Sequence, residues 1–269
     1  MSLETEAEVR EVWSSGSYAQ IAPNYLPMAG QLVDRTDLGS GDDVLDVGCG
    51  TGSVAISAAR RDADVVGLDI TPSMLDRAAE NAALAGTTDI EWREGAATNL
   101  PFGDDSFDVT LSSLGHMYGD PPDATKRELH RVTRPGGRVA FTSWTPLSLY
   151  PALGGILATR LSAGDMPGFS EPPFMWGDRD TVERRLDDGF EDVQFDRECL
   201  SYPALSPAHF WEELVETSGM FATFLEKVDD RGGIREPILD RIDADFDPVE
   251  NAVELEYLLT SATVTESDR

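Results

Sequence analysis

The sequence predicts an α/β protein, a doubly wound and mostly parallel sheet with helices on both faces. Three observations predict it: short apolar runs that end in glycine or aspartate, helical stretches of small and apolar residues between them, and five such alternations before residue 145. Asp43 to Gly48 is an apolar run ending in glycines, as fully buried parallel strands do. Ser53 to Arg61 reads as a helix whose small residues pack back on the sheet. A second run, Ala63 to Leu68, ends at Asp69, and Thr71-Pro72 opens a helix with proline at its first position, where the missing N–H is harmless. That helix carries Met74, Leu75, Ala78 and Ala82 on one face and stops near Gly86. Ile90 to Arg93 is a weaker strand and Phe107 to Ser112 a stronger one. Asp123 to Thr133 is the next helix, and Pro135-Gly136-Gly137 turns into the strand Arg138 to Trp144.

Beyond residue 144 the alternation stops. Residues 145–178 concentrate proline and glycine, with Leu149, Tyr150, Met166, Phe169, Phe174 and Trp176 between them, and suit either plain packing or a cover over a site. Asp180 to Asp188 reads as a helix and Phe190 to Leu200 as a strand. Phe210, Trp211, Leu214, Phe221, Phe224 and Leu225 recur at helical spacing and read as core rather than ligand contact. Glu254 to Val264 forms a final edge strand.

Charge narrows the setting. The 269 residues hold 21 basic and 50 acidic side chains, a formal charge of −29, yet 41% are apolar, so the chain folds. Lysine is almost absent, Lys126 and Lys227 only, and acids pair up, as in Asp42-Asp43, Asp187-Asp188 and Asp229-Asp230. Self-repulsion of this size opposes compaction unless salt screens it. The composition therefore points to a salt-rich, halophilic cytoplasm and argues against nucleic acid as a partner. No apolar run is long enough to insert stably in a membrane, and Met1 to Glu6 is acidic where a secretory leader is basic. Two cysteines, Cys49 and Cys199, exclude a disulfide scaffold.

The most informative stretch is Leu45-Asp46-Val47-Gly48-Cys49-Gly50-Thr51-Gly52. Glycines after a strand let the backbone turn tightly and approach a ligand, with a helix N-terminus following. The dinucleotide spacing G-x-G-x-x-G fails, since Ser53 stands where the third glycine belongs. Asp46, inside the strand, repels a pyrophosphate and suits an ammonium group. Asp69, at the tip of the second strand, is placed to take two ribose hydroxyls.

These residues, with Val66 to Leu75, Leu100-Pro101-Phe102, Asp105-Ser106-Phe107-Asp108 and Arg131 to Gly137, resemble the class I S-adenosylmethionine-dependent methyltransferases. The small-molecule branch, similar to the ubiquinone and menaquinone methyltransferases, is the nearest likeness. The resemblance implies a Rossmann-like sheet of seven strands with one antiparallel edge strand and a helical, apolar cap insertion. It implies a single domain: an N-terminal helical cap (1–40), a cofactor-binding core (41–144), a substrate lid (145–180) and a C-terminal completion of the sheet (181–269). It implies S-adenosylmethionine as cofactor and S-adenosylhomocysteine as product. Asp46, Gly48, Cys49, Gly50 and Gly52 would hold the methionine part, Asp69 the ribose, and Ile70 and Met74 the adenine. Tyr18 would help close the site, and Ser112, Ser113 and Leu114 would line the passage to the sulfonium. Gly95-Ala96-Ala97 stands where the family has Gly-Asp-Ala, so the acidic acceptor for the adenine amino group is missing, with Glu94 or Asn99 as substitutes.

Methyl transfer from a sulfonium is mostly a matter of placing the nucleophile on axis in a site without water. Where a base is needed, His116, just past the fourth strand, is the candidate, with Tyr118 and Tyr150 as alternatives. No His, Cys and Asp grouping has metal-ligand spacing. The expected partner is a small apolar or aromatic acceptor under the 145–178 insertion, with oligomeric state open. A cofactor-binding module without turnover is the alternative.

Overall fold

The computed structural model describes residues 10–14, 17–161, 168–228 and 232–266; Met166 and Asp229-Asp230 lie outside the described residues. Residues 10–14 are helical, α1 (Tyr18–Ile21) and α2 (Leu26–Asp34) follow, and β1 (Asp43–Val47) enters the sheet. Then come α3 (Ser53–Ala59), β2 (Asp64–Asp69), α4 (Pro72–Ala85), β3 (Glu91–Glu94) and β4 (Phe107–Ser113). α5 (Pro122–Val132) leads directly into β5 (Thr133–Trp144). The remainder is α6 (Leu149–Ala158), α7 (Arg179–Leu186), β6 (Phe190–Pro203), α8 (Pro207–Thr217), α9 (Gly219–Lys227), α10 (Gly232–Asp243), β7 (Phe246–Asp247) and β8 (Ala252–Val264).

The strands run β3-β2-β1-β4-β5-β8-β6, with the two-residue β7 paired on β8. β3, β2, β1, β4 and β5 are parallel, and β8 runs antiparallel to both β5 and β6. The sheet is thus mostly parallel with antiparallel pairing at one end, as the sequence leads one to expect. The strand read from Glu254 onward lies one place in from the rim, because the longer β6 covers it. The insertion is helical, as the resemblance implies, and one helix, α10, escapes the sequence reading. α6 arises inside the proline-rich insertion, where Leu149, Leu153 and Leu157 recur every four residues and are fully buried. α10 carries Pro237 in its interior, which masks its helical pattern.

Order reversal between β1 and β4 opens a crevice at the carboxyl ends of the strands, where doubly wound sheets bind ligands. At the opposite ends, Arg134 ties β1 to β4 through Asp43 (2.8 Å) and Asp108 (2.6 Å). Such exposed pairs contribute little each, so the surplus of acids dominates the surface. The unfolding midpoint is expected to rise by about 10 °C, some 3 kcal/mol, between about 0.1 and 3 M KCl. A midpoint that stays flat or falls removes the salt-adapted reading. No helix among the described residues is long and apolar enough to cross a membrane.

Candidate active site

β1 ends at Val47, and Gly48 (φ 68°) and Gly50 (φ 52°) take left-handed backbone that a side chain resists. The turn is pinned by two N–H groups, of Gly48 (2.7 Å) and Cys49 (2.9 Å), on the carbonyl of Leu68. Gly52 (φ 87°) caps α3 and packs so closely that an added Cβ would lie 2.9 Å from Trp92.

Asp46 is fully buried in the middle of the sheet, opposite Gly67 and Leu111. Its Oδ2 accepts the N–H of Ala55 (3.0 Å), while its Oδ1 has no partner. Burial pushes its pKa up to about 7, against the pull of the Ala55 hydrogen bond, and the charge of Asp69 adds to the rise. Asp69 braces two loops. Its Oδ2 accepts the Gly50 N–H and its Oδ1 the Thr71 N–H, both at 2.8 Å, and burial raises its pKa too. An acceptor without a donor and a second carboxylate with spare lone pairs thus face the same space.

That space is a cavity of about 520 Å³. Its first wall holds Tyr18, Asp46, Gly48, Cys49 and Gly50. Asp69, Ile70, Met74, Gly95, Ala96 and Ala97 form a second, and Ser113 and Leu114 the approach from β4. Leu114 adopts φ 65°, an unusual strain for a branched side chain, as is found at functional turns. Three expected residues lie elsewhere. Gly52 serves the helix cap. The Ser112 hydroxyl is buried, donating to the carbonyl of Val47 (2.6 Å) and accepting from the N–H of His116 (2.9 Å).

His116 is the third, and the correction is larger. Its ring is fully buried, 4.4 Å from the Phe141 ring and 4.8 Å from that of Trp176. Nδ1 meets Ser112 (3.2 Å) and Nε2 meets Ser143 (3.3 Å), so neither nitrogen faces the cavity. Burial, reinforced by Arg185, lowers its pKa to about 3. It is a neutral core residue, turned inward by the reversal at Leu114. Cys49 lines the cavity as a small filler, its thiol pushed up by burial.

The sequence reading missed several walls. Trp13 packs edge-on against Tyr18 (5.8 Å) and Tyr118 (5.1 Å) and roofs the first wall. Leu214, Phe221 and Phe224, from α8 and α9, are buried in the core as their stripe reads, and they also line the cavity, together with Met220. Helical spacing cannot distinguish the two, since a cavity wall also faces inward. Of the expected substitutes for the missing acid, Glu94 is paired with Arg10 (2.5 Å) and Asn99 is exposed; neither lines the cavity, whereas Thr98 does. Among the described residues no group of three or more His, Cys, Asp or Glu side chains is placed to hold a metal ion.

Comparison with known proteins agrees with this geometry. Residues 44–137 match the family described as methyltransferase domain. An uncharacterised Mycobacterium tuberculosis protein is 38% identical over 194 residues, 71% of this chain and 69% of that protein. The erythromycin 3''-O-methyltransferase of Saccharopolyspora erythraea is 34% identical over 174 residues, 62% of this chain and 56% of the enzyme. In fold, the chain is similar to the Haemonchus contortus phosphoethanolamine N-methyltransferase 2 solved with phosphomonomethylethanolamine and S-adenosylhomocysteine (TM-score 0.57, 16% identity, 89% of this chain and 53% of that one). With the glycine turn, the two carboxylates and these relatives together, the chain belongs to the class I S-adenosylmethionine-dependent methyltransferases.

Proposed function

We propose that the protein transfers a methyl group from S-adenosylmethionine to a small apolar or aromatic metabolite, by in-line displacement. One observation carries this reading: the Asp46–Asp69 cradle and an apolar chamber are two parts of one cavity. The residues present fit the cofactor. Asp46 Oδ1 is a buried acceptor in want of a donor, which an α-ammonium provides. Gly48 and Gly50 leave the strand tip open to a ligand, and each Asp69 oxygen keeps a lone pair for a ribose hydroxyl. Tyr18 sits against this end, its phenol pushed up to about 12 by burial and by Asp69, and so stays neutral.

Bound S-adenosylmethionine supplies a methyl group on a positively charged sulfur that is its own leaving group. The chain's part is to orient the acceptor and exclude water. Among the described lining residues, Asp46 and Asp69 are the only charged side chains. No histidine or lysine there can take a proton, and Tyr118 and Tyr150 are held neutral by burial. The acceptor atom is therefore one that reacts without a strong base. With the cofactor saturating, so that the carboxyl of Asp46 is held ionised, the pH–rate profile is expected to carry no step that belongs to His116; an inflection near 6.5 that vanishes in His116→Gln would return His116 to the reaction.

A second reading, a binding module without turnover, is favoured by the Ala96 wall, where no acidic acceptor meets the adenine. Calorimetry with S-adenosylhomocysteine in about 2–3 M KCl, followed by methyl-labelled cofactor with metabolite extract, separates the two. Binding with label transfer supports the enzyme, binding without transfer to any extract supports the module, and no binding removes both.

A further inference from the structure

Beyond the cradle, the chamber is walled by Trp144, Pro151, Phe174, Leu214, Phe221 and Phe224. Within that apolar wall, two phenols meet: the Tyr25 and Tyr150 hydroxyls are 2.6 Å apart. Tyr25 comes from the 3-10 turn Ala22–Tyr25 and Tyr150 from α6, so elements 125 residues apart converge to make the pair. Both rings are fixed, Tyr150 against Trp144 (5.0 Å) and Phe221 (6.1 Å), and Tyr25 stacked on Tyr18 (6.1 Å).

Two hydroxyls that bond each other use one of their two protons. The other O–H is left without a use in the pair, and a buried donor without an acceptor is unfavourable. Two serine hydroxyls nearby are engaged: that of Ser113 lies between Met28 sulfur (3.4 Å) and Thr142 (3.1 Å), and Ser218 caps α9. Burial holds both phenols far above their ordinary pKa, so they donate and do not ionise. No lysine, arginine or histidine lines the cavity among the described residues, so an anionic acceptor would find no cationic side chain in the wall to pair with.

Building on the methyltransferase reading, we propose that Tyr25 and Tyr150 form the polar anchor of the acceptor site. The acceptor is an uncharged, largely apolar molecule carrying a hydroxyl or carbonyl oxygen that takes the spare phenolic proton. A bonded phenol is polarised by its partner and donates more strongly than a lone one.

The test uses three probes of one shape on the protein saturated with S-adenosylhomocysteine: 1-naphthol, naphthalene and 1-naphthoate, by equilibrium dialysis in high KCl. We expect 1-naphthol to bind about five- to tenfold more tightly than naphthalene, the worth of one hydrogen bond, with 1-naphthoate the weakest. In the Tyr25→Phe/Tyr150→Phe double variant the naphthol preference should collapse, with naphthalene and S-adenosylhomocysteine bound as before. The proposal is overturned if 1-naphthoate binds as well as 1-naphthol, if none of the three binds, or if the naphthol preference survives in the double variant. Should that variant not fold, the ranking of the three probes on the unmodified protein still decides. Failure of S-adenosylhomocysteine itself to bind would instead strike the methyltransferase reading, so the two failures are distinct.

Discussion

Replacing Asp46 by Asn weakens S-adenosylhomocysteine binding about 10- to 100-fold at neutral pH, the cost of losing a charged acceptor, while making the free protein more stable. Both effects follow from one orphaned oxygen. Asp46 Oδ1 is buried without a partner, and burial raises the carboxyl to about 7. A ligand ammonium favours the ionised form, so binding draws a proton off Asp46. Affinity in the unmodified protein is therefore expected to fall about tenfold between pH 7.5 and 6, as the free carboxyl takes up its proton. Asp46→Asn removes that dependence. A pH-dependent loss that persists in the variant would place the ammonium elsewhere.

The stability effect has its own sign. Asp46 is raised from 3.8 in the unfolded chain to about 7 in the fold, so its contribution is complete below pH 3.8 and is lost as pH rises through 7. Each unit of that shift corresponds to about 1.4 kcal/mol. Asn avoids this penalty and leaves a buried amide that needs a partner, for a net gain of about 1–2 kcal/mol at pH 8. His116 works in the opposite direction. Its pKa falls from 6.5 to about 3 on folding, so its contribution is complete above pH 6.5 and is lost as pH falls toward 3. Between about pH 4 and 6.5 the two slopes oppose each other and largely cancel. In urea titrations Asp46→Asn should therefore expose an acid lability that the unmodified protein hides, and His116→Gln the reverse. Parallel curves for both variants and the unmodified protein would show that neither group is perturbed by the fold.

Legibility in the sequence follows the range of the forces involved. The parallel half of the sheet could be read because β1, β2, β4 and β5 are apolar runs closed by turn residues, a local signal. Asp46, Asp69 and the glycines were legible because their chemistry and spacing are carried within one β-α-β stretch. His116 was misread because sequence places it after the strand but not its ring, which the left-handed Leu114 directs into the core. The chamber was half legible. The apolar insertion reads either as plain packing or as a cover and is expected to be helical, yet the bounds of α6 within it are not legible, since Pro151, Gly154 and Gly155 blur the helical pattern. Phe221 and Phe224 read as core because inward-facing periodicity is the same over a filled interior and over a cavity. The Tyr25–Tyr150 pair joins residues 125 apart, and no local pattern announces it.

Gly115 shows the same limit at its sharpest, and its replacement by Ala is the second large effect. Its backbone runs against the cofactor loop so closely that an added Cβ would lie 2.6 Å from the Gly48 oxygen, 2.7 Å from Gly48 Cα and 2.9 Å from the Val47 oxygen. These are backbone atoms, and they cannot swing aside as a flexible side chain does. The adjacency exists because β4 pairs with β1, so the loops leaving both strands emerge side by side. Gly115→Ala must push the Gly48 turn off the Leu68 carbonyl that pins it, at a cost of about 2–3 kcal/mol for overpacking. The displaced turn carries Gly50 away from Asp69, so cofactor affinity should fall at least tenfold, about 1.4 kcal/mol. Gly30→Ala supplies the contrast. Gly30 lies within α2 with nothing near its missing Cβ, and the same chemical change there should stabilise by roughly 0.5–1 kcal/mol through helix propensity. Urea midpoints that move in opposite directions for the two variants, with affinity lost only in Gly115→Ala, are the expected result. A Gly115→Ala protein as stable and as tightly binding as its parent would mean the two loops do not touch, and the cradle would need another support.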